Sequence, residues 1–193
     1  MRDDLWPKGI VPYEIQPDLP SRQQVKEAIK LWNSPDIPVH LIPRREYHDD
    51  YVVFVASEQC SSRKGRGGGR QEIRLSSGCR IGVVLHEIGH AVGLAHEHSR
   101  HDRARYLKKI CLENIYPEAL FNFQLDDGDT FGEYDLESIM HYSQMAFSRN
   151  RDRTIVPLEE HVKPGVLIGQ RQKLSAGDIQ HLQYLYSKAA EAS

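Results

Sequence analysis

The chain reads as an α+β fold in two parts. An N-terminal lobe of mixed, twisted sheet has helices packed on it, and a largely irregular C-terminal lobe ends in a helix. Three observations carry this reading: short runs rich in β-branched and aromatic residues recur before residue 76, segments of helical periodicity lie among and after them, and from Gly93 periodicity is lost until Ser175. In order, residues 11–15 alternate as a first strand, and residues 21–32 form an amphipathic helix with Ser21 as its cap and Gln24 three residues on, the spacing of a capping box. Residues 39–42, 51–55 and 73–75 are further short strands. A second helix spans about 82–92, and a last one spans 175–188 with Ile179, Leu182, Leu185 and Tyr186 along one side. There is no internal repeat and no long linker, so residues 1–193 are read as one domain with an upper lobe of about 1–93 and a lower lobe of about 94–193.

Composition narrows the function. A hydrophobic content of 39% without a long apolar run suits a soluble globule and leaves nothing to span a membrane. A formal charge of −2 is too small to call for nucleic acid, a membrane surface or a highly charged substrate. The N-terminus lacks the apolar region of a signal peptide, so the leader of an exported protein would have been removed or omitted. Residues 63–70, RKGRGGGR, superficially resemble an RNA-binding tract, but one short copy between two cysteines reads better as a flexible loop.

The chemistry is concentrated in residues 86–97, HEIGHAVGLAHE. His86 and His90 are four residues apart and project from one helix face, so two nitrogens can converge on one metal ion. Glu87 is rotated by about 100° around the helix, beside the ligand pair and not between its members. Gly93 can adopt a positive φ, end the helix and turn the chain back, which brings His96 round as a third nitrogen. Three protein ligands leave a position open for water, the mark of a catalytic and not a structural zinc site, and such a water has its pKa lowered to about 7. Glu87 can take its proton as it attacks a carbonyl. HExxH alone turns up in unrelated helices; the extension through Gly93 and His96 raises the match to a zinc-peptidase pattern.

Beyond His96 the chain continues Glu97-His98-Ser99-Arg100-His101-Asp102-Arg103, and later Ser138-Ile139-Met140-His141-Tyr142. With HExxHxxGxxHE these resemble the astacin family of metzincin peptidases, whose signature is HExxHxxGxxHExxRxDR followed by a methionine turn SxMHY. Trp6 to Tyr13, Cys60 to Arg66, Thr154 to Pro157, Ile168 to Arg171 and Leu174 to Ile179 are also similar to that family, so the likeness spans nearly the whole chain.

The resemblance implies a metzincin, zincin-like catalytic domain: a zinc endopeptidase that cleaves internal peptide bonds of a protein or peptide substrate by glutamate-assisted attack of water. It implies Zn2+ as the only cofactor, held by His86, His90 and His96, with Glu87 as general base and then acid, Met140 as the apolar floor, and Tyr142 both as a mobile extra ligand and as oxyanion stabiliser. Glu97 would pair with the amino terminus freed when a propeptide is removed, and the chain starts about where such a mature domain starts. Cys60 and Cys79 match one family disulfide and imply an oxidising compartment, extracellular or periplasmic, with leader and propeptide outside this chain. The family's second bridge is missing, since Pro38 stands at one cysteine position and none follows Tyr186, which points to a bacterial-type member. The expected state is a monomer that binds neither nucleic acid nor membrane.

Several readings stay open at this level. Substrate is expected to lie extended in a cleft between the two halves, pairing with edge-strand residues within 72–75. Arg171 either lines the pocket after the scissile bond, favouring Asp or Glu there, or is a surface charge. Cys111 reads as a small buried apolar residue ahead of a reactive thiol or inhibitory ligand. His98, His101, His40, His48, His161 and His181 read as solvated or locally hydrogen-bonded. A zinc-binding pseudoenzyme and a nucleic-acid binder through residues 63–70 are the competing classes.

Overall fold

The computed structural model describes residues 4–126 and 130–191. The chain forms two compact units, one running to Leu94 and taking in the stretch from Arg171 onward, the other spanning Ala95–Gln170. The sequence reading of an α+β domain holds.

The first unit is built on a five-stranded mixed sheet of β1 (Ile10–Ile15), β2 (His40–Pro43), β3 (Tyr51–Ala56), β4 (Ser61–Ser62) and β5 (Arg70–Leu75), in the order β2-β1-β3-β5-β4. All pairings are parallel except β4 with β5. The run Val52-Val53-Phe54-Val55 is buried at every position, as a parallel strand covered on both faces requires. Strand β4 was not foreseen, and it alters one expectation. Ser61 pairs with Arg74 and Ser62 with Ile73, so β4 covers those two residues of the expected edge and is the outermost strand there.

Helix α1 (Arg22–Trp32) buries Val25, Ala28, Ile29 and Trp32 along one face. Ser21 occupies its N-cap, but the expected capping box does not close: the buried Ser21 Oγ and Gln24 Oε1 have no hydrogen-bond partner. The other end is anchored instead, because the Asn33 side chain donates to Leu41 O (2.8 Å) and accepts from Leu41 N–H (2.9 Å), tying α1 to β2.

Helix α2 (Ile81–Ala91) is buried almost all round, with Val84, Leu85, Ile88 and Ala91 in the core. Helix α3 (Ala176–Glu191) begins at a reciprocal cap in which Ser175 N–H donates to Asp178 Oδ2 and Asp178 N–H to Ser175 Oγ, both at 2.9 Å. Its apolar residues Leu182, Leu185 and Tyr186 are buried, and it belongs to the first unit although the sequence reading ran the lower lobe through to residue 193. The physical reason is contact with the end of α2: Tyr186 donates its phenol hydrogen to Val92 O at 3.0 Å.

Among its described residues the second unit has no α-helix; short 3-10 turns, the longest Pro117–Phe123, accompany the antiparallel pair β6 (Leu107–Ile110) and β7 (Ile155–Pro157). Its own core gathers Leu107, Ile115, Phe123, Tyr134, Leu136 and Ile155. Cys60 and Cys79 form the disulfide that the resemblance implied, with Cα atoms 6.6 Å apart, and Cys111 is a free, buried thiol. Among the described residues no helix is long and apolar enough to cross a membrane.

Candidate metal centre

The apolar surround of α2 carries two polar side chains inside with it. His86 and Glu87 are both buried, and the His86 and His90 rings lie 4.7 Å apart on the same face, one turn from each other. The helix then stops abruptly, and its end is held from several directions. Gly93 N–H donates to His90 O (2.9 Å), Leu94 N–H to Gly89 O (2.9 Å) and Gly65 N–H to His90 O (2.8 Å), while the Trp6 indole donates to Ala91 O (2.8 Å). Gly93 has φ +110°, a backbone conformation that favours glycine, and a Cβ there would stand 3.0 Å from Leu5 Cδ2, the end of a side chain that would have to give slightly.

His96 follows three residues later on the same unbroken stretch of chain. The candidate ligand nitrogens of His86, His90 and His96 lie within 4.8 Å of one another, a grouping that could hold one metal ion. His90 Nδ1 lies 3.0 Å from Leu94 O; with the proton on Nδ1 it donates to that carbonyl and leaves Nε2 as the ligand.

Glu87 supplies a second reason to place a cation here. Burial pushes its carboxyl up to about 7, and the positive charge of Arg171 pulls the other way. Its Oε2 is buried without a hydrogen-bond partner, which would cost about 1–3 kcal/mol unless a water or ion completes the site. Three imidazoles beside an unsatisfied acid suit a divalent cation and its water. Arg171 is half-buried, and its backbone presses on the start of α2, where a Cβ at Gly82 would fall 1.6 Å from Arg171 O.

Within the second unit, the methionine turn is tied to the residue following His96. Glu97 N–H donates to Met140 O (3.2 Å), and the buried Met140 donates its own N–H to Ser138 Oγ (2.9 Å). His141 is buried between two partners, Tyr134 Oη at 2.9 Å and Tyr142 O at 2.6 Å. The Tyr142 ring lies 4.6 Å from the His96 ring and stacks on His98. The freed amino terminus that Glu97 was expected to meet lies outside the described residues. Glu97 Oε1 accepts from Arg100 Nη1 (3.0 Å) and from Asp135 N–H (2.8 Å).

Sequence reasoning quoted Arg100 only as a position of the family signature and gave neither it nor His98 a part in the site. Arg100 grips Asp102 with two bonds of 2.9 and 2.8 Å and also donates to the carbonyls of Phe131, Gly132 and Glu133. That fork holds the Asp102 carboxyl below the usual carboxylate range. The alternation Glu97, Arg100, Asp102 was the available signal. His98, read as solvated or locally bonded, is fully buried, with Nε2 3.0 Å from Asn122 O. In the glycine-rich loop, Arg66 pairs with Asp50 and Arg70 with Glu72, so much of its positive charge is locally answered.

The model of the peptidase family described as Astacin matches residues 1–187. The chain belongs to the astacin family. Among its relatives, Nematocyst expressed protein 6 of Nematostella vectensis is 37% identical, covering 97% of this chain and 67% of that protein. Bone morphogenetic protein 1 of Xenopus laevis is also 37% identical, over 94% of this chain. The chain spans about two thirds of the length of the first and about a quarter of the second, at 67% and 27%. High choriolytic enzyme 1, a hatching enzyme zinc-protease from Oryzias latipes, superposes with a TM-score of 0.85 at 33% identity, covering 95% of this chain and 94% of that one. In class this astacin domain is therefore a zinc metalloendopeptidase, with a three-histidine group suited to its metal.

Proposed function

We propose that the domain cleaves internal peptide bonds of polypeptides, with His86, His90 and His96 holding a zinc ion, Glu87 moving the protons and Tyr142 stabilising the oxyanion. The observation that carries this is the convergence of three imidazole donors next to a buried carboxyl with an unpaired oxygen. When bound, zinc supplies Lewis acidity to the scissile carbonyl and brings the pKa of a coordinated water toward about 7. Glu87 takes the proton of the attacking water and passes it to the leaving nitrogen, a role for which its place on α2 beside His86 suits it. The Tyr142 phenol would be an added ligand when the metal is bound, and its hydrogen bond would stabilise the developing oxyanion. Met140 holds the turn that follows His96 through its carbonyl.

The β4 edge offers backbone groups to which an extended substrate can add as a further strand. The Cys60–Cys79 bridge suits an oxidising compartment, outside the cell or in a periplasm. Metal analysis combined with casein digestion tests the reading. About one zinc per chain is expected, with digestion stopped by a chelator and restored by zinc. Metal-free protein that cannot be reconstituted, or digestion that survives chelation, would reject it.

Arg171 carries the specificity expectation. Its positive charge acts on the region of Glu87, so acidic residues immediately after the scissile bond are expected to be preferred in a peptide library. Arg171→Ala should erode that preference by about 10-fold, the size of one interaction of ~1.4 kcal/mol. An unselective parent enzyme would return Arg171 to the status of a structural charge beside Gly82.

A further inference from the structure

We propose that His98 is a positioning residue for Tyr142, its buried imidazole forming a flat wall against which the tyrosine ring is held. This rests on the reading that the Tyr142 phenol serves the oxyanion. The two rings are stacked with centroids 3.9 Å apart and planes 22° from parallel. His98 is 0% exposed, whereas Tyr142 is only half-buried, so one partner is set in the core of its unit and the other is not.

The wall is held from several sides. His98 Nε2 lies 3.0 Å from Asn122 O and 3.4 Å from Ser99 Oγ, and the Phe123 ring meets the imidazole at 5.6 Å in an edge-on arrangement. Arg103 Nη1 donates to both His98 O (3.0 Å) and Phe123 O (2.7 Å), locking the two backbones together. Phe123 also meets Tyr142 edge-on at 5.8 Å, and the His96 ring closes another side at 4.6 Å. A ring against a flat face can slide in its own plane at little cost, but tilting away loses the stacking contact. Sliding carries the phenol oxygen along a line, and tilting would scatter it. A wall of this kind permits the movement while limiting its direction.

The test is a double-mutant cycle. His98→Leu keeps the bulk and removes the plane; it is expected to lower kcat by about 10-fold or more with KM changed by less than about twofold, and zinc content unaltered. His98→Phe restores the plane and should recover most of that loss. In a Tyr142→Phe background, His98→Leu should cost nothing further. As a readout independent of turnover, the Tyr142 ring resonance in 13C-tyrosine-labelled protein, assigned by its loss in Tyr142→Phe, should shift in His98→Leu and return toward the parent position in His98→Phe. A loss that recurs in full in the Tyr142→Phe background, or a resonance that ignores His98→Leu, overturns the positioning role alone. A Tyr142→Phe enzyme as active as the parent overturns the oxyanion reading beneath it.

Discussion

Glu87→Gln is expected to lower kcat by about 10³- to 10⁴-fold while the zinc content stays at the parent value, because proton transfer by a positioned acid–base group typically contributes about 10²- to 10⁴-fold. The substitution isolates that role with little else disturbed. Gln has nearly the same shape, and the Glu87 side chain is buried among apolar neighbours on α2, where a neutral amide is no harder to accommodate than a carboxylate whose Oε2 lacks a partner. None of the three imidazole donors is touched, so metal retention separates loss of the base from loss of the site. The drop corresponds to about 4–5.5 kcal/mol of transition-state stabilisation. The checks are steady-state digestion of a quenched peptide, zinc per chain and the melting temperature, measured on the same preparation. A variant that keeps its zinc and digests at the parent rate would remove Glu87 from the chemistry.

The residues on which that prediction depends were the most legible part of the chain. Four-residue spacing on a helix is a local property, so His86 and His90 could be placed without knowing what surrounds them, and Gly93 announced the turn that its φ of +110° executes. The long strands were legible for a similar reason, since a run such as Val52 to Val55 has no comfortable place except a sheet covered on both faces. What escaped was decided by distant partners. Strand β4 is two residues long and exists because Ile73 and Arg74 offer it a ladder, and β6 finds β7 only after a long excursion of the chain. Imidazoles look alike in a sequence; burial of His98 depends on Asn122 and Phe123, which nothing local specifies. The Ser21 and Gln24 pair shows the converse error, a correct local pattern whose bonds the folded backbone does not make.

Gly82→Ala provides the second large effect, and here two opposing principles predict opposite signs. By helix propensity alone, alanine in place of glycine on α2 should stabilise the domain by about 1 kcal/mol. Packing says otherwise: the new Cβ would sit 1.6 Å from Arg171 O, 2.2 Å from Arg171 C and 2.9 Å from its Cα, all backbone atoms that cannot rotate away. Overpacking a core usually costs about 1–3 kcal/mol through side-chain adjustment, and a collision with main chain belongs at or above the top of that range. The melting temperature is therefore expected to fall, by about 2–4 °C for each kcal/mol in a domain of this size. Activity should fall further than stability explains, since relief requires α2 or Arg171 to move, and α2 carries His86 and Glu87 one turn further on. Gly78→Ala is the control: it has no positive φ, and the nearest atom to its Cβ is Ser76 Oγ at 3.9 Å, so it should leave both melting temperature and turnover near the parent values. A Gly82→Ala protein that melts higher than the parent would mean that propensity outweighs contact at this position, and that the close approach of Arg171 to α2 is not what sets its place.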